Sequence, residues 1–80
     1  MPDKRDILFI INPKSGVGSK MELPRMIKKL IDKQKFNLSI EKTRHVGHAS
    51  DIAREAAERG TDVVVAVGGD GTVNEVARGL

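Results

Sequence analysis

The stretch VVVAVGGDGTVNE, residues 63–75, decides the fold of this chain. Its first five residues, 63–67, are apolar and predict a buried parallel strand. Two glycines follow, and glycine lets the backbone turn sharply while leaving no Cβ in the way of a ligand. Thr72 and Glu75 have the spacing of a capping box, which predicts a helix from Val73 onward. The stretch therefore predicts a strand, a glycine turn and a helix N-terminus in direct succession.

A helix N-terminus that follows a glycine turn attracts anions, because free N–H groups and the positive end of the helix dipole converge there. We expect the phosphate of a nucleotide as the ligand. Asp70, between Gly69 and Gly71, would project into this site and bond a ribose hydroxyl, a metal ion or a catalytic water. The alternative is an ordinary turn between strand and helix, in which Thr72 and Glu75 only cap the helix.

Two other nucleotide-binding motifs do not fit the chain. In residues 69–74, Asn74 stands where the dinucleotide-binding fingerprint has its third glycine. The segment GVGSK, residues 16–20, contains no Gly-Lys-Ser/Thr run and is therefore not a Walker A loop.

The composition predicts one small soluble domain. The chain has 80 residues, 39% of them hydrophobic, and no cysteine, which excludes disulfides, cysteine-bound zinc and a thiol nucleophile. Its two aromatic residues are too few to stack on nucleic-acid bases, so we expect no specific nucleic-acid partner. No apolar run is long enough for a membrane span or a signal peptide, so we expect a cytoplasmic protein, with any membrane contact peripheral.

The positive charge is concentrated in the first part of the chain. Residues 1–48 hold 11 Lys and Arg against 5 Asp and Glu, whereas residues 49–80 hold 3 against 6. The basic part could attract phosphates or an anionic membrane surface. The alternative, typical of most such charges, is a solvated helix face.

Apolar periodicity predicts strands at residues 6–11, 36–42 and 63–67. The second strand alternates apolar and polar residues, which indicates a sheet edge, whereas the third is apolar enough to have neighbours on both sides. Gly60 is expected to end the second of three helices. The apolar helix faces are predicted at Leu23, Met26, Ile27, Leu30 and Ile31, at Ala49, Ile52, Ala53, Ala56 and Ala57, and at Val76, Ala77 and Leu80.

The order β-α-β-α-β-α predicts a three-layer α/β fold with a parallel sheet. Ligands of such folds lie at the carboxyl ends of the strands. The loops at residues 12–20, 43–48 and 68–72 each follow a strand, so we expect them to form one shared site. Because the chain ends soon after its third helix begins, we also expect it to be the N-terminal piece of a larger protein.

Three motifs resemble the catalytic domain of diacylglycerol kinases and related lipid kinases, which include sphingosine, ceramide and bacterial lipid kinases. Asn12-Pro13-Lys14-Ser15-Gly16 is similar to the family's first nucleotide-contacting loop, and Thr43 with Gly47-His48-Ala49 is similar to the second. The segment GGDGTVNE, residues 68–75, is similar to the family's signature and is the most specific of the three. The nucleotide-binding residues that the resemblance implies are Asn12, Pro13, Lys14, Ser15, Gly16, Thr43, Gly68, Gly69, Asp70, Gly71, Thr72, Val73, Asn74 and Glu75.

The resemblance implies an NAD kinase/diacylglycerol kinase-like N-terminal domain in an ATP-dependent enzyme that phosphorylates a lipid alcohol such as diacylglycerol. Asp70 would support catalysis through a metal ion, a water or a hydroxyl. In the family, the general base, the acidic ligands of Mg²⁺ and a β-rich second domain lie in a later part of the chain. Residues 1–80 alone would therefore hold part of the ATP site without catalysing transfer.

Two other interpretations stay open at this point. An NAD kinase-type enzyme shares the glycine-aspartate motif but leaves the loop at residues 12–16 unexplained. A non-catalytic α/β module would bind a nucleotide or a protein partner. A transient membrane surface is a further expected partner, and association of copies through exposed sheet edges also stays open. Neither His45 nor His48 pairs with another His, Cys or carboxylate at metal-binding spacing, so we expect a structural or surface role for both.

Overall fold

The computed structural model describes residues 4–14 and 22–80. These residues form alternating strands and helices, in the order that the sequence predicts, and the α/β fold is confirmed. The elements are β1 (Arg5–Ile11), α1 (Glu22–Leu30), β2 (Phe36–Lys42), α2 (His48–Glu58), β3 (Val63–Val67) and α3 (Asp70–Gly79). None of the helices in the described part of the chain has the length and apolar character needed to cross a membrane.

The three strands form one parallel sheet in the order β2-β1-β3. Ile7 in the central strand is aligned with Leu38 of β2 and Val63 of β3. The predicted edge position of β2 is confirmed. The third strand, predicted to have neighbours on both sides, has one neighbour among the described residues, and all five of its residues are only partly buried. The reason is that no strand within residues 4–14 and 22–80 pairs with its outer edge.

The main core lies between one face of the sheet and the helices α2 and α3. Leu8 and Ile10 of β1 are almost completely buried there. Their helical partners are Ala49, Ile52, Ala53 and Ala56 of α2 and Val76 of α3. Ile7 and Ile11 are buried on the opposite face, because side chains alternate along a strand.

Helix α1 is covered by the rest of the chain less completely than its apolar pattern predicts. Ile27 is buried, whereas Met26 and Leu30 are 54% and 78% exposed. Likewise Ala57 and Ala77, predicted on the apolar faces of α2 and α3, are exposed. The periodicity therefore locates these helices correctly but overestimates the width of the face that each one buries.

Helices α2 and α3 approach closely because small residues lie between them. A Cβ atom on Gly79 would collide with the backbone oxygen of Ser50 and would lie 2.9 Å from Cβ of Ala53. Any side chain at this position would push the two helices apart. The contact therefore fixes the position of α3 relative to α2 and, through both, to the sheet.

The C-terminus of α2 is closed by a Schellman motif, which confirms the predicted role of Gly60. This glycine has φ 81°, a left-handed conformation that disfavours other residues. Its N–H donates to the carbonyl of Ala57 at 3.1 Å, and the N–H of Thr61 donates to the carbonyl of Ala56 at 2.9 Å. The chain then enters β3 after a short turn.

Candidate functional site

The carboxyl end of β1 is joined to both neighbouring strands. The N–H of Asn12 donates to the carbonyl of Val67 at 3.0 Å, and the N–H of Thr43 donates to the carbonyl of Ile11 at 2.8 Å. The structure therefore brings the beginnings of all three predicted loops to one edge of the sheet. Ser15 and Gly16, which the sequence also assigns to this site, lie outside the described residues.

A side-chain hydrogen bond connects the first loop to α3. Nδ2 of Asn12 donates to Oγ1 of Thr72 at 3.2 Å, and Oδ1 of Asn12 accepts the N–H of Lys14 at 2.9 Å. The amide orientation follows from these partners, since only the oxygen can accept and only the nitrogen can donate. Thr72 is 5% exposed, so this bond is largely shielded from water.

Gly68 makes room for this contact. A Cβ atom at this position would lie 2.6 Å from Oγ1 of Thr72 and 3.2 Å from Cβ of Asn12. The backbone itself does not require glycine, because among the described glycines only Gly47 and Gly60 have positive φ. The predicted reason for Gly68, a sharp turn, is therefore wrong, and close packing against Thr72 explains the residue.

Helix α3 begins three residues earlier than the sequence predicts. Asp70 is its first residue, and Gly69, in an extended conformation, is the N-cap residue. The N–H groups of Thr72 and Val73 donate to the carbonyl of Gly69 at 3.1 and 3.2 Å. The capping-box prediction for Thr72 and Glu75 is wrong, because no side chain caps this helix and the Thr72 hydroxyl is bonded to Asn12 instead.

The N-terminus of α3 presents bare backbone to the solvent. Gly69, Asp70 and Gly71 are exposed, and a Cβ atom on either glycine would meet no atom within 4 Å. Within residues 4–14 and 22–80, the N–H groups of Asp70 and Gly71 and the Asp70 carboxylate have no hydrogen-bond partner. Packing inside the chain thus does not require these two glycines, and the surface is open to a ligand. Val73 and Asn74 are exposed one turn further along the helix.

A small cavity of about 130 Å³ lies between the three loops. The described residues that line it are Asn12, Lys14, Thr43, Arg44, His45, Val46, Ala49, Thr72 and Glu75. Five of these are predicted site residues: Asn12, Lys14, Thr43, Thr72 and Glu75. Arg44, His45 and Val46 belong to the loop at residues 43–48 that the sequence assigned to this site, but no motif singled them out, because a loop between two motifs carries no spacing signal of its own.

A larger and more open groove, of about 1110 Å³, continues from this cavity across Thr43, Arg44 and His45. Pro13 lies on its wall rather than on that of the small cavity. The charged residues along the groove are Lys28, Glu41, Lys42 and Arg44. Cations outnumber anions on these walls, so the groove and the cavity together favour a negatively charged ligand.

The described residues contain no cluster of side chains that could hold a metal ion by themselves. Within residues 4–14 and 22–80, no group of three or more His, Cys, Asp or Glu side chains comes together. A Mg²⁺ ion bound by protein needs oxygen ligands in near-octahedral geometry. The expectation that its ligands lie in another part of the kinase stays a prediction.

Comparison with known proteins identifies the family to which this site belongs. The family model described as "Diacylglycerol kinase catalytic domain" matches residues 6–80. The chain belongs to the diacylglycerol kinase catalytic domain family. The resemblance of the chain to this family is therefore confirmed.

Relatives of this diacylglycerol kinase-family chain include lipid kinases of bacteria and plants. It is 43% identical over 73 residues to a diacylglycerol kinase of Staphylococcus saprophyticus, an alignment that covers 90% of this chain and 24% of the relative. It is 32% identical over 78 residues to a ceramide kinase of Arabidopsis thaliana, covering 94% of this chain and 13% of the relative. The chain therefore spans a quarter or less of the length of these two proteins.

A solved structure has the same fold. The crystal structure of a diacylglycerol kinase from Bacillus anthracis superimposes with a TM-score of 0.73 at 32% identity. The match covers 100% of this chain and 29% of that one. The parallel sheet and helices described above are thus the fold of one part of the diacylglycerol kinase family's catalytic domain.

Proposed function

We propose that this chain forms the ATP-binding part of a lipid kinase that transfers the γ-phosphate of ATP to a lipid hydroxyl such as that of diacylglycerol. The observation that carries the proposal is the convergence of three loops on one cavity. Asn12 follows β1, Thr43 follows β2 and Thr72 lies in the first turn of α3, and all three line the same cavity. Family membership supports the same conclusion, because the relatives named above are a diacylglycerol kinase and a ceramide kinase.

The chemistry of phosphoryl transfer suits these residues. The enzyme has to position the nucleotide and to neutralise the charge of its phosphates. The exposed N–H groups at Asp70 and Gly71 would donate to phosphate oxygens at the positive end of the α3 dipole. Lys14 and Arg44 would add positive charge, and Asn12 and Thr43 would add neutral hydrogen bonds. Asp70 would bond a hydroxyl or a water that contacts the phosphates.

The remaining chemistry would come from other parts of the kinase. We assign residues 1–80 to the N-terminal part of the catalytic domain and expect a β-rich second domain outside them. The general base that activates the lipid hydroxyl and the acidic ligands of Mg²⁺ would belong to those other parts. The chain is therefore expected to bind ATP without phosphorylating lipid by itself. The bacterial diacylglycerol kinases named above are roughly three to four times as long as this chain, which supports this division.

The lipid substrate also indicates where such a kinase works. Diacylglycerol resides in membranes, so such a kinase would act from the cytoplasm and contact the membrane surface transiently. The product would enter phospholipid metabolism. The sheet edges of β2 and β3 offer a route to association of copies.

Calorimetry of ATP binding to the 80-residue chain with Mg²⁺ present tests the proposal. We expect ATP to bind and NAD to compete weakly, and we expect Asp70→Ala to reduce the affinity. A folded chain that binds NAD in preference to ATP would contradict the lipid-kinase assignment. A folded chain that binds neither would contradict the assignment of the ATP site to these residues alone.

A further inference from the structure

We propose that His48 is a positioning residue that holds the wall of the nucleotide cavity in place through an unprotonated Nδ1 atom. The inference rests on the proposed function, since the ligand of the cavity is taken to be the triphosphate of ATP. His48 lines the larger groove but not the small cavity, whereas Arg44 and His45 line both. It acts through the turn that joins these residues to α2.

His48 closes this turn at both ends. The N–H of Arg44 donates to Nδ1 of His48 at 2.9 Å, and the N–H of His48 donates to the carbonyl of His45 at 3.1 Å. Gly47, just before His48, has φ 86° and reverses the chain in a conformation that other residues rarely adopt. The first residue of α2 thus folds the loop back onto itself.

The hydrogen-bond partners determine which nitrogen carries the proton in the rings of His48 and His45. Nδ1 of His48 accepts an N–H, so it carries no proton and the neutral ring must be protonated on Nε2. Nδ1 of His45 lies 2.9 Å from the carbonyl oxygen of Val46, which can only accept, so this nitrogen carries the proton. The two rings stack with centroids 4.6 Å apart and planes 20° apart. The turn therefore combines two different histidine tautomers in one stack.

The turn matters for binding because it carries Arg44. The preceding residue, Thr43, is fixed by the sheet through its N–H bond to Ile11. The backbone position of Arg44 depends on His48, because Nδ1 of His48 accepts a hydrogen bond from the Arg44 N–H. Arg44 lines both the small cavity and the larger groove, and a guanidinium group can donate two parallel hydrogen bonds to a phosphate. Loss of the Nδ1 acceptor would remove the hydrogen bond that holds the Arg44 backbone, whereas the hydrogen bonds of the sheet would remain.

Two substitutions distinguish the contribution of the His48 hydrogen-bond acceptor from that of its stacked ring. His48→Asn keeps an acceptor, because Oδ1 of asparagine occupies nearly the same position relative to the backbone as Nδ1 of histidine. His48→Ala removes the acceptor and the stack together. Circular dichroism and thermal melting would establish that both variants are folded. Calorimetry with ATP and amide hydrogen exchange of Arg44, followed by NMR, are the two readouts.

We expect His48→Ala to weaken ATP binding about three- to tenfold, the typical effect of one hydrogen bond, and to speed the exchange of the Arg44 amide. We expect His48→Asn to restore both quantities close to those of the unchanged chain. A merely structural role of the ring would not produce this rescue, because asparagine cannot replace the stacking on His45.

Several outcomes would overturn the inference. A folded His48→Ala chain with unchanged ATP affinity is one, and a His48→Asn chain that behaves like His48→Ala in both readouts is another. If the unchanged chain binds no ATP, the proposed function of the isolated chain fails, and amide exchange of Arg44 alone decides the role of His48. Equal exchange in the alanine and asparagine variants would then overturn it, whereas slow exchange in the asparagine variant alone would support it.

Discussion

Asn12 and Thr72 are joined by a hydrogen bond of 3.2 Å between Nδ2 and Oγ1, although 60 positions separate them in the chain. Asn12 follows the central strand, and Thr72 lies in the first turn of α3. The bond thus connects the first loop motif to the glycine-aspartate motif. It is possible because Gly68 has no side chain to occupy the space between them.

Gly68→Ala is expected to destabilise the chain by about 1–3 kcal/mol, the usual cost of forcing an extra carbon into a packed site. The new Cβ would lie 2.6 Å from Oγ1 of Thr72. Urea unfolding measures the change. The comparison variant is Gly69→Ala, where no atom lies within 4 Å, so its cost should be limited to the weaker capping of α3 by alanine and stay below that of Gly68→Ala. Equal effects at the two positions would contradict the packing explanation.

Thr72→Val is expected to cost about 1–2 kcal/mol of unfolding free energy, because it removes the hydroxyl while retaining the shape of the side chain. Thr72 is buried and its hydroxyl accepts from Asn12, so a polar contact is lost in a site that water hardly reaches. Thr72→Ser retains the hydroxyl and should recover most of this loss. Thermal or urea unfolding of both variants would decide, and a valine variant as stable as the serine variant would argue against the hydrogen bond.

Asp70→Ala is expected to abolish lipid phosphorylation in a full-length kinase while leaving the fold unchanged. The carboxylate is exposed and has no hydrogen-bond partner in residues 4–14 and 22–80, so its removal should change stability by less than about 0.5 kcal/mol. Glu58→Gln, which alters an exposed carboxylate at the far end of α2, is the control and should retain activity. An Asp70→Ala kinase with full turnover would remove Asp70 from the site.

Gly71→Ala is expected to raise the stability of the chain and to weaken ATP binding. The residue lies inside α3 with open space around it, so alanine should stabilise the chain by about 0.5–1 kcal/mol. The added methyl group would lie where we propose that phosphate approaches the backbone, so ATP binding should weaken. Unfolding experiments and calorimetry on the same variant test both parts. Unchanged ATP affinity would mean that the ligand does not approach this glycine.

Gly79→Ala is expected to destabilise the chain by at least about 2 kcal/mol, because the methyl group would collide with the backbone oxygen of Ser50. The effect arises between α2 and α3, far along the helix from Asp70. Arg78→Ala, at an exposed neighbouring position, is the control and should be nearly neutral. A stable Gly79→Ala variant would show that the two helices can separate without cost.

The sequence predicts the elements of this fold well because strand and helix patterns are local. The bounds of β2 and β3 agree with the structure, and β1 begins one residue earlier than predicted, at Arg5. The same local reasoning fails where contacts with a distant part of the chain determine how deeply an element is buried. β3 has the composition of a buried strand, yet its burial depends on neighbours that lie outside it.

The candidate site was only partly predictable for the same reason. Parallel topology explains why loops from three strands meet, so Asn12, Thr43 and Thr72 could be assigned together. The capping-box interpretation failed because the partner of the Thr72 hydroxyl is remote in sequence. Arg44 and His45 enter the cavity through the conformation of a turn, which depends on Gly47 and on the His48 ring and which no spacing rule describes.

The 60-residue separation between Asn12 and Thr72 also sets an order of events during protein synthesis. A ribosome releases the N-terminal part first, so β1, α1 and β2 can pair while the last strand is still unmade. Contacts between distant residues form late, because closing a long loop costs entropy before the contact repays it. A nascent chain that stalls before Val63 would therefore carry two of the three strands and none of α3, so its cavity would lack the part of the lining that Thr72 and Glu75 supply.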